Sequence, residues 1–116
     1  MGGLDPGEHI FHLATARDWA EAERSGAYRT STLGRSLAAE GFIHASRAGQ
    51  VAGVAAAFYA AVDEPLVLLE IDPGRVGCVI RLEVPPGGDA AFPHLYGPLD
   101  VSAVVRVTPY AVISAG

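Results

Sequence analysis

The sequence predicts an α+β domain: a compact, mostly antiparallel split sheet with two or three helices. Helical patterns are confined to the first half of the chain, while the second half is dominated by strand-like runs between Gly and Pro turns. That segregation argues against the regular βαβ alternation of a doubly wound fold. Half of the 116 residues are hydrophobic, enough for one core and too little chain for two domains. Residues 9–116 therefore read as one domain behind a flexible lead-in, residues 1–8.

His9-Ile10-Phe11-His12-Leu13-Ala14 forms a short strand candidate, with Ile10 and His12 on one face and Phe11 and Leu13 on the other. Thr15-Ala16-Arg17-Asp18 resembles a capping box and opens a helix, which Gly26 closes. Ala16, Trp19 and Ala20 give that helix an apolar stripe. Tyr28 to Leu33 is polar and β-prone, and a short helix over about 34–40 ends before Gly41. Gly41 to Ser46 is a second short strand, with Ser46 as N-cap of a helix over about 48–61. Val51, Val54, Ala55, Phe58, Tyr59 and Val62 recur at helical spacing and form its buried face. Strands follow at 66–72, 78–84 and 101–107, with a tail strand at 110–113. The segment Phe92 to Pro98 reads as an ordered loop, because it is rich in turn formers yet carries Phe, Leu and Tyr.

The formal net charge is −5, and all eight cations are arginines scattered along the chain. Duplex nucleic acid calls for a clustered basic face, so that partner class is disfavoured. Cys78 is alone, which rules out an intramolecular disulfide and fits a reducing, cytoplasmic setting. It sits in an apolar run and reads as a buried structural thiol. There is no apolar stretch of membrane-spanning length and no leader-like N-terminus, so neither a membrane span nor secretion is expected. The oligomeric state is left open.

Chemistry points to three histidines. His12 and His44 lie mid-strand among apolar neighbours, and His94 lies between prolines in an aromatic segment. One such histidine is ordinarily a core residue with a satisfied hydrogen bond; three, with four tyrosines, favour a shared cleft. His12, His44 and His94 are accordingly the candidate catalytic residues. No metal is expected, because the histidines are 32 and 50 residues apart without metal-ligand spacing. Glu70 and Glu83 read as solvated or arginine-paired strand residues.

The segments Ile10-Phe11-His12-Leu13, Tyr28 to Leu33, Glu40 to Ser46, Leu68 to Asp72 and Phe92 to Leu99 resemble the bacterial domain of unknown function 952 family, across about residues 9–110. The resemblance implies a fold similar to that of ADP-ribosyltransferases, built around an NAD cleft. In that pattern His12 matches the polar residue of the first strand, and Gly41 to Ser46 matches the second segment. A late glutamate has no match, and His94 or Tyr96 stands in its place. The implied cofactor is NAD and the implied partner a small molecule or nucleotide. His12 would bond a ribose, His44 and Ser46 the nicotinamide ribose or diphosphate, and Arg29 a phosphate. Tyr59 or Tyr96 would stack on nicotinamide, and His94 would position an acceptor or act as a base. Ser31, in the polar run, joins this ligand-binding set. The expected function is a small-molecule or nucleotide-binding domain, as an NAD-linked ADP-ribosyltransferase-like enzyme or as a catalytically silent sensor module.

Overall fold

A computed structural model of the chain describes residues 3–32 and 34–112. The strands are β1 Ile10–Thr15, β2 Ala27–Tyr28, β3 Thr30–Thr32, β4 Arg35–Ser36, β5 Ile43–His44, β6 Ser46–Arg47, β7 Leu66–Ile71, β8 Ile80–Glu83, β9 Phe92–Leu95, β10 Leu99–Asp100 and β11 Val104–Tyr110. The helices are α1 Ala16–Ser25, α2 Leu37–Glu40 and α3 Val51–Phe58. The expected α+β class holds, with several antiparallel sheets and few helices.

Strand β1 lies inside a four-stranded sheet of order β11-β7-β1-β6, all antiparallel. Its side chains alternate as period two requires. Ile10 and Ala14 pack into one apolar cluster with Trp19, Tyr28, Leu69 and Ile71. Leu13 packs into the other with Val51, Val54, Ala55, Tyr59 and Leu66. Both faces of the sheet are thus covered, with α1 on one side and α3 on the other.

Helix α1 starts where the Thr15 side chain accepts from the Asp18 amide at 3.1 Å. It ends at Gly26, whose φ of 92° lies in the left-handed region that favours glycine. Its buried residues are Trp19 and Ala22, while Ala16 and Ala20 are half-buried. The second helix is shorter than its pattern suggests. Arg35–Ser36 pair as β4 against β3, and Ser36 then caps Leu37–Glu40.

The third helix corrects the expected start. Ser46 belongs to β6, paired with Phe11, and caps nothing. A 3-10 turn, Ala48–Gln50, precedes α3, and the Gln50 side chain folds back to accept from the Arg47 amide at 2.9 Å. The lead-in is held as well: Glu8 accepts two hydrogen bonds from the Arg47 guanidinium, each 2.7 Å. That fork draws the Glu8 carboxyl below its ordinary range.

The largest correction concerns residues 92–95, expected as loop. They form β9, the centre of a three-stranded sheet of order β5-β9-β8. Proline within a sheet usually marks an edge strand, because it cannot donate to a ladder. Pro93 is tolerated because its carbonyl accepts from the Ala45 amide, on the side where β5 has already ended. The C-terminal strand begins three residues later than expected, after a 3-10 turn at Val101–Ala103, and continues through Tyr110. The expected tail strand therefore merges into β11 at Tyr110, and Ile113 lies outside the described residues. Pro109 sits on β11, an edge strand, as the rule requires.

Candidate functional site

The register of the three-stranded sheet builds the site. His44 pairs with His94, and His94 pairs with Arg81 on the other side. Directly paired residues share a face, as do residues two apart. One face therefore carries His44, Phe92, His94, Arg81 and Glu83. The opposite face carries Ile43, Leu95, Pro93 and Ile80, which turn into the core. Phe42 and Tyr96 extend the first face together at one end, their ring centroids 5.6 Å apart. The His94 ring stacks on Phe42 at 4.1 Å between centroids and lies 5.2 Å from the His44 ring. The His44 ring in turn lies 4.9 Å from Phe92.

His94 is only 4% exposed. Its Nδ1 lies 2.8 Å from Glu83 Oε1, and the Tyr96 hydroxyl donates to that same oxygen. The two hydrogen bonds, Tyr96 first and His94 second, hold the Glu83 carboxyl below its ordinary range. An ionised carboxylate only accepts, so His94 Nδ1 carries the proton in this bond. The same contact pushes the Tyr96 hydroxyl up. Arg81 lies over the Tyr96 ring at 5.6 Å. His94 Nε2 is buried without a hydrogen-bond partner among the described residues.

His12 lies on the core side of β1 and is 3% exposed. Its Nδ1 donates to the His44 carbonyl at 2.7 Å, and the Tyr28 hydroxyl, 3.0 Å away, donates to its Nε2. Both ring nitrogens are satisfied in the neutral form. Burial, outweighing the His44 carbonyl bond, lowers the His12 pKa to about 4. Burial also lowers that of His44, and the nearby His94 ring lowers it further.

A cleft of about 770 Å³ opens beside this face. His44 and Phe92 line it together with Thr32 and Arg35 of the β3–β4 hairpin. Gly49, Gln50, Gly53, Val54, Ala57 and Phe58 form a second wall, and the loop Pro85 to Gly88 with Ala90 forms a third. Phe58, 59% exposed, stands at the cleft as an unusually open aromatic ring.

A family profile described as a protein of unknown function (DUF952) matches residues 13–107. This chain belongs to the DUF952 family. Among solved structures it is similar to the crystal structure of protein CC0527 from Caulobacter crescentus, with 34% identity and a TM-score of 0.74. That match covers 87% of this chain and 84% of that one. The solution NMR structure of CC0527 is similar at 34% identity and a TM-score of 0.69, covering 86% and 82%. No curated protein matches the chain.

In this DUF952 domain the three histidines are neighbours, but they do not share the cleft as expected. His44 lines the cleft, the buried His94 ring lies 5.2 Å from the His44 ring, and the buried His12 is tied to the His44 backbone. The other sequence-derived residues scatter. Arg29 is exposed between β2 and β3 and does not line the cleft. Ser31 is 1% exposed, with its hydroxyl unpartnered among the described residues. Ser46 is buried on β6. Tyr59 is a core residue whose hydroxyl donates to the Leu13 carbonyl, so its ring is not offered to the cleft. Tyr96 follows β9 and reaches Glu83 with its hydroxyl, and it does not line the cleft.

Sequence reasoning missed Arg35, Gln50, Phe58 and Phe92 at the cleft, and Glu83 behind it. Period two from Phe92 through His94 to Tyr96 was the available signal, and Pro93 masked it. Glu83 was visible only as a strand residue alternating with Arg81. Among the described residues no group of three His, Cys, Asp or Glu side chains is placed to hold a metal ion. Among the described residues no helix is long and apolar enough to cross a membrane.

Proposed function

We propose that this DUF952 domain binds a small molecule of nucleotide size in the cleft beside His44. In its more specific form the ligand is NAD and the domain is ADP-ribosyltransferase-like in fold and chemistry. The observation that carries the reading is the cleft itself. Its volume of about 770 Å³ falls within the range of about 300–1,000 Å³ usual for ligand pockets. Its lining is mainly apolar and aromatic, with a few polar groups converging on it. Phe58 and Phe92 offer ring faces to a base or nicotinamide. Arg35 stands at the wall, and its guanidinium, engaged with Glu40 at only 3.6 Å and largely exposed, is free to turn to a phosphate. His44 supplies a neutral imidazole that both donates and accepts.

A second reading, a binding module without turnover, is favoured by one observation. Of the three imidazoles only His44 meets the cleft, while His12 has both nitrogens engaged. Calorimetric titration with NAD, followed by an assay for released nicotinamide, separates the two. Binding with release supports the transferase, and binding without release supports the silent module. A blocking variant tests the cleft. Gly53 lines it on α3, and a Cβ added there meets no atom within 4 Å. Gly53→Leu should keep the fold, because leucine is the better helix former by roughly 1 kcal/mol. It should also abolish NAD binding; retention of full affinity would show that the cleft is not the binding place.

A further inference from the structure

The Glu83–His94 contact is more than a surface pair, for three reasons. The ring is 4% exposed and stacked on Phe42, so its orientation is fixed. The carboxylate engages Nδ1 at 2.8 Å, so the neutral ring must leave a lone pair on Nε2. That Nε2 is buried and meets no donor among the described residues, and an unmet buried acceptor costs stability that selection retains where the group has a use. The groups facing the ring are Glu83, Arg81 and Tyr96 on one side and His44 on the other. No solvent reaches Nε2 directly. His44 is the imidazole that lines the cleft, and its ring centroid lies 5.2 Å from that of His94. No hydrogen bond joins the two rings as they stand; with the His94 ring held by Glu83 and Phe42, the link requires the His44 ring to turn toward Nε2.

We propose that Glu83, His94 and His44 form a proton-accepting relay, in which His94 Nε2 is the base, Glu83 the group that positions it, and His44 the link to a hydroxyl-bearing ligand in the cleft. This rests on the reading that the cleft holds a ligand, though not on the ligand's being NAD. The step balances as follows. The ligand hydroxyl, or a water, gives its proton to one nitrogen of His44 as its oxygen attacks an electrophilic carbon. His44 releases the proton on its other nitrogen to His94 Nε2. The resulting His94 imidazolium faces the Glu83 carboxylate, and the leaving group departs with the electron pair of the broken bond. His44 is neutral before and after. A carboxylate that holds the imidazole's proton on the far nitrogen is the arrangement by which histidine acts as a general base.

Two measurements test the relay. Long-range proton–nitrogen NMR of the ligand-free wild-type protein reads the tautomer of each imidazole and needs no variant. Neutral His94 should carry its proton on Nδ1, and Glu83→Gln should shift it toward a mixture. A wild-type spectrum with the proton on Nε2 would overturn the proposal. Hydrolysis of p-nitrophenyl acetate, a probe small enough for the cleft, reads the base. Glu83→Gln and His44→Ala should each slow it by about tenfold to a hundredfold. His9→Ala should not, because His9 pairs with Glu70. A Glu83→Gln rate equal to wild type sinks the relay even if NAD binds. Conversely, a relay that behaves as described in a protein indifferent to NAD removes only the NAD reading.

Discussion

His12 shows how a single side chain couples the core to the site. Its Nδ1 holds the His44 carbonyl from below, and only the neutral ring can also accept the Tyr28 hydroxyl at Nε2. The group titrates at about 4 in the fold against an ordinary 6.5. In that interval the unfolded chain binds the extra proton, so stability is full above about 6.5 and falls as pH drops through 6.5 toward 4. A shift of this size corresponds to roughly 3 kcal/mol. Urea unfolding at neutral pH and near pH 4.5 should show this loss in the wild type and a smaller one in His12→Gln; equal slopes would dismiss the assignment. Gly97 makes a different demand. A Cβ built there would stand 2.6 Å from the Cβ of Cys78. Gly97→Ala should therefore destabilise by about 1–3 kcal/mol through overpacking, read as a lowered denaturation midpoint. Gly97→Ala paired with Cys78→Gly should recover most of it. Burial also pushes the Cys78 thiol up, which fits a structural residue better than a nucleophile.

At the scale of elements, local chemistry decides where helices begin. The Thr15 hydroxyl satisfies one of the free amides of α1, and Thr15→Ala should cost about 1 kcal/mol, with helical content otherwise intact. A loss under a few tenths would mean that tertiary packing alone sets the start. Strand β9 shows the opposite case. Nothing local requires Phe92-Pro93-His94-Leu95 to be a strand. Its extended form comes from pairing with β8 on one side and β5 on the other, and from burying Leu95 completely. Once it pairs, period two aligns Phe92 and His94 with His44 and Glu83. The site is therefore a property of this pairing rather than of any one segment.

For the whole molecule, the site lies where three separate stretches meet: the β3–β4 hairpin, one side of α3 with the turn before it, and the loop after β8. These stretches are joined by packing, so a ligand that bridges them should tighten the fold. At a hundredfold excess over its Kd, a single-site ligand stabilises by about 2.7 kcal/mol. Thermal unfolding should show a rise in Tm with NAD in the wild type and none in Gly53→Leu. The same shift in both proteins would place the ligand elsewhere.

Much of this architecture was legible in the order of residues, because it rests on contacts a few positions apart. The cap at Thr15, the stop at Gly26, the two faces of β1 and the apolar spacing of α3 all follow from short-range periodicity and backbone sterics. The histidines were also legible as unusual, since imidazoles among apolar strand residues need partners. Their separate fates were not. Whether a ring ends in the core like His12, behind a wall like His94 or at a cleft like His44 depends on register between strands up to about fifty residues apart, and a slip of one residue exchanges the two faces. The same long-range pairing turned Glu83 from a solvated strand residue into the partner of a buried imidazole. Spacing along the chain carries no record of such pairing, because it is selected by burial and hydrogen-bond closure across the whole fold.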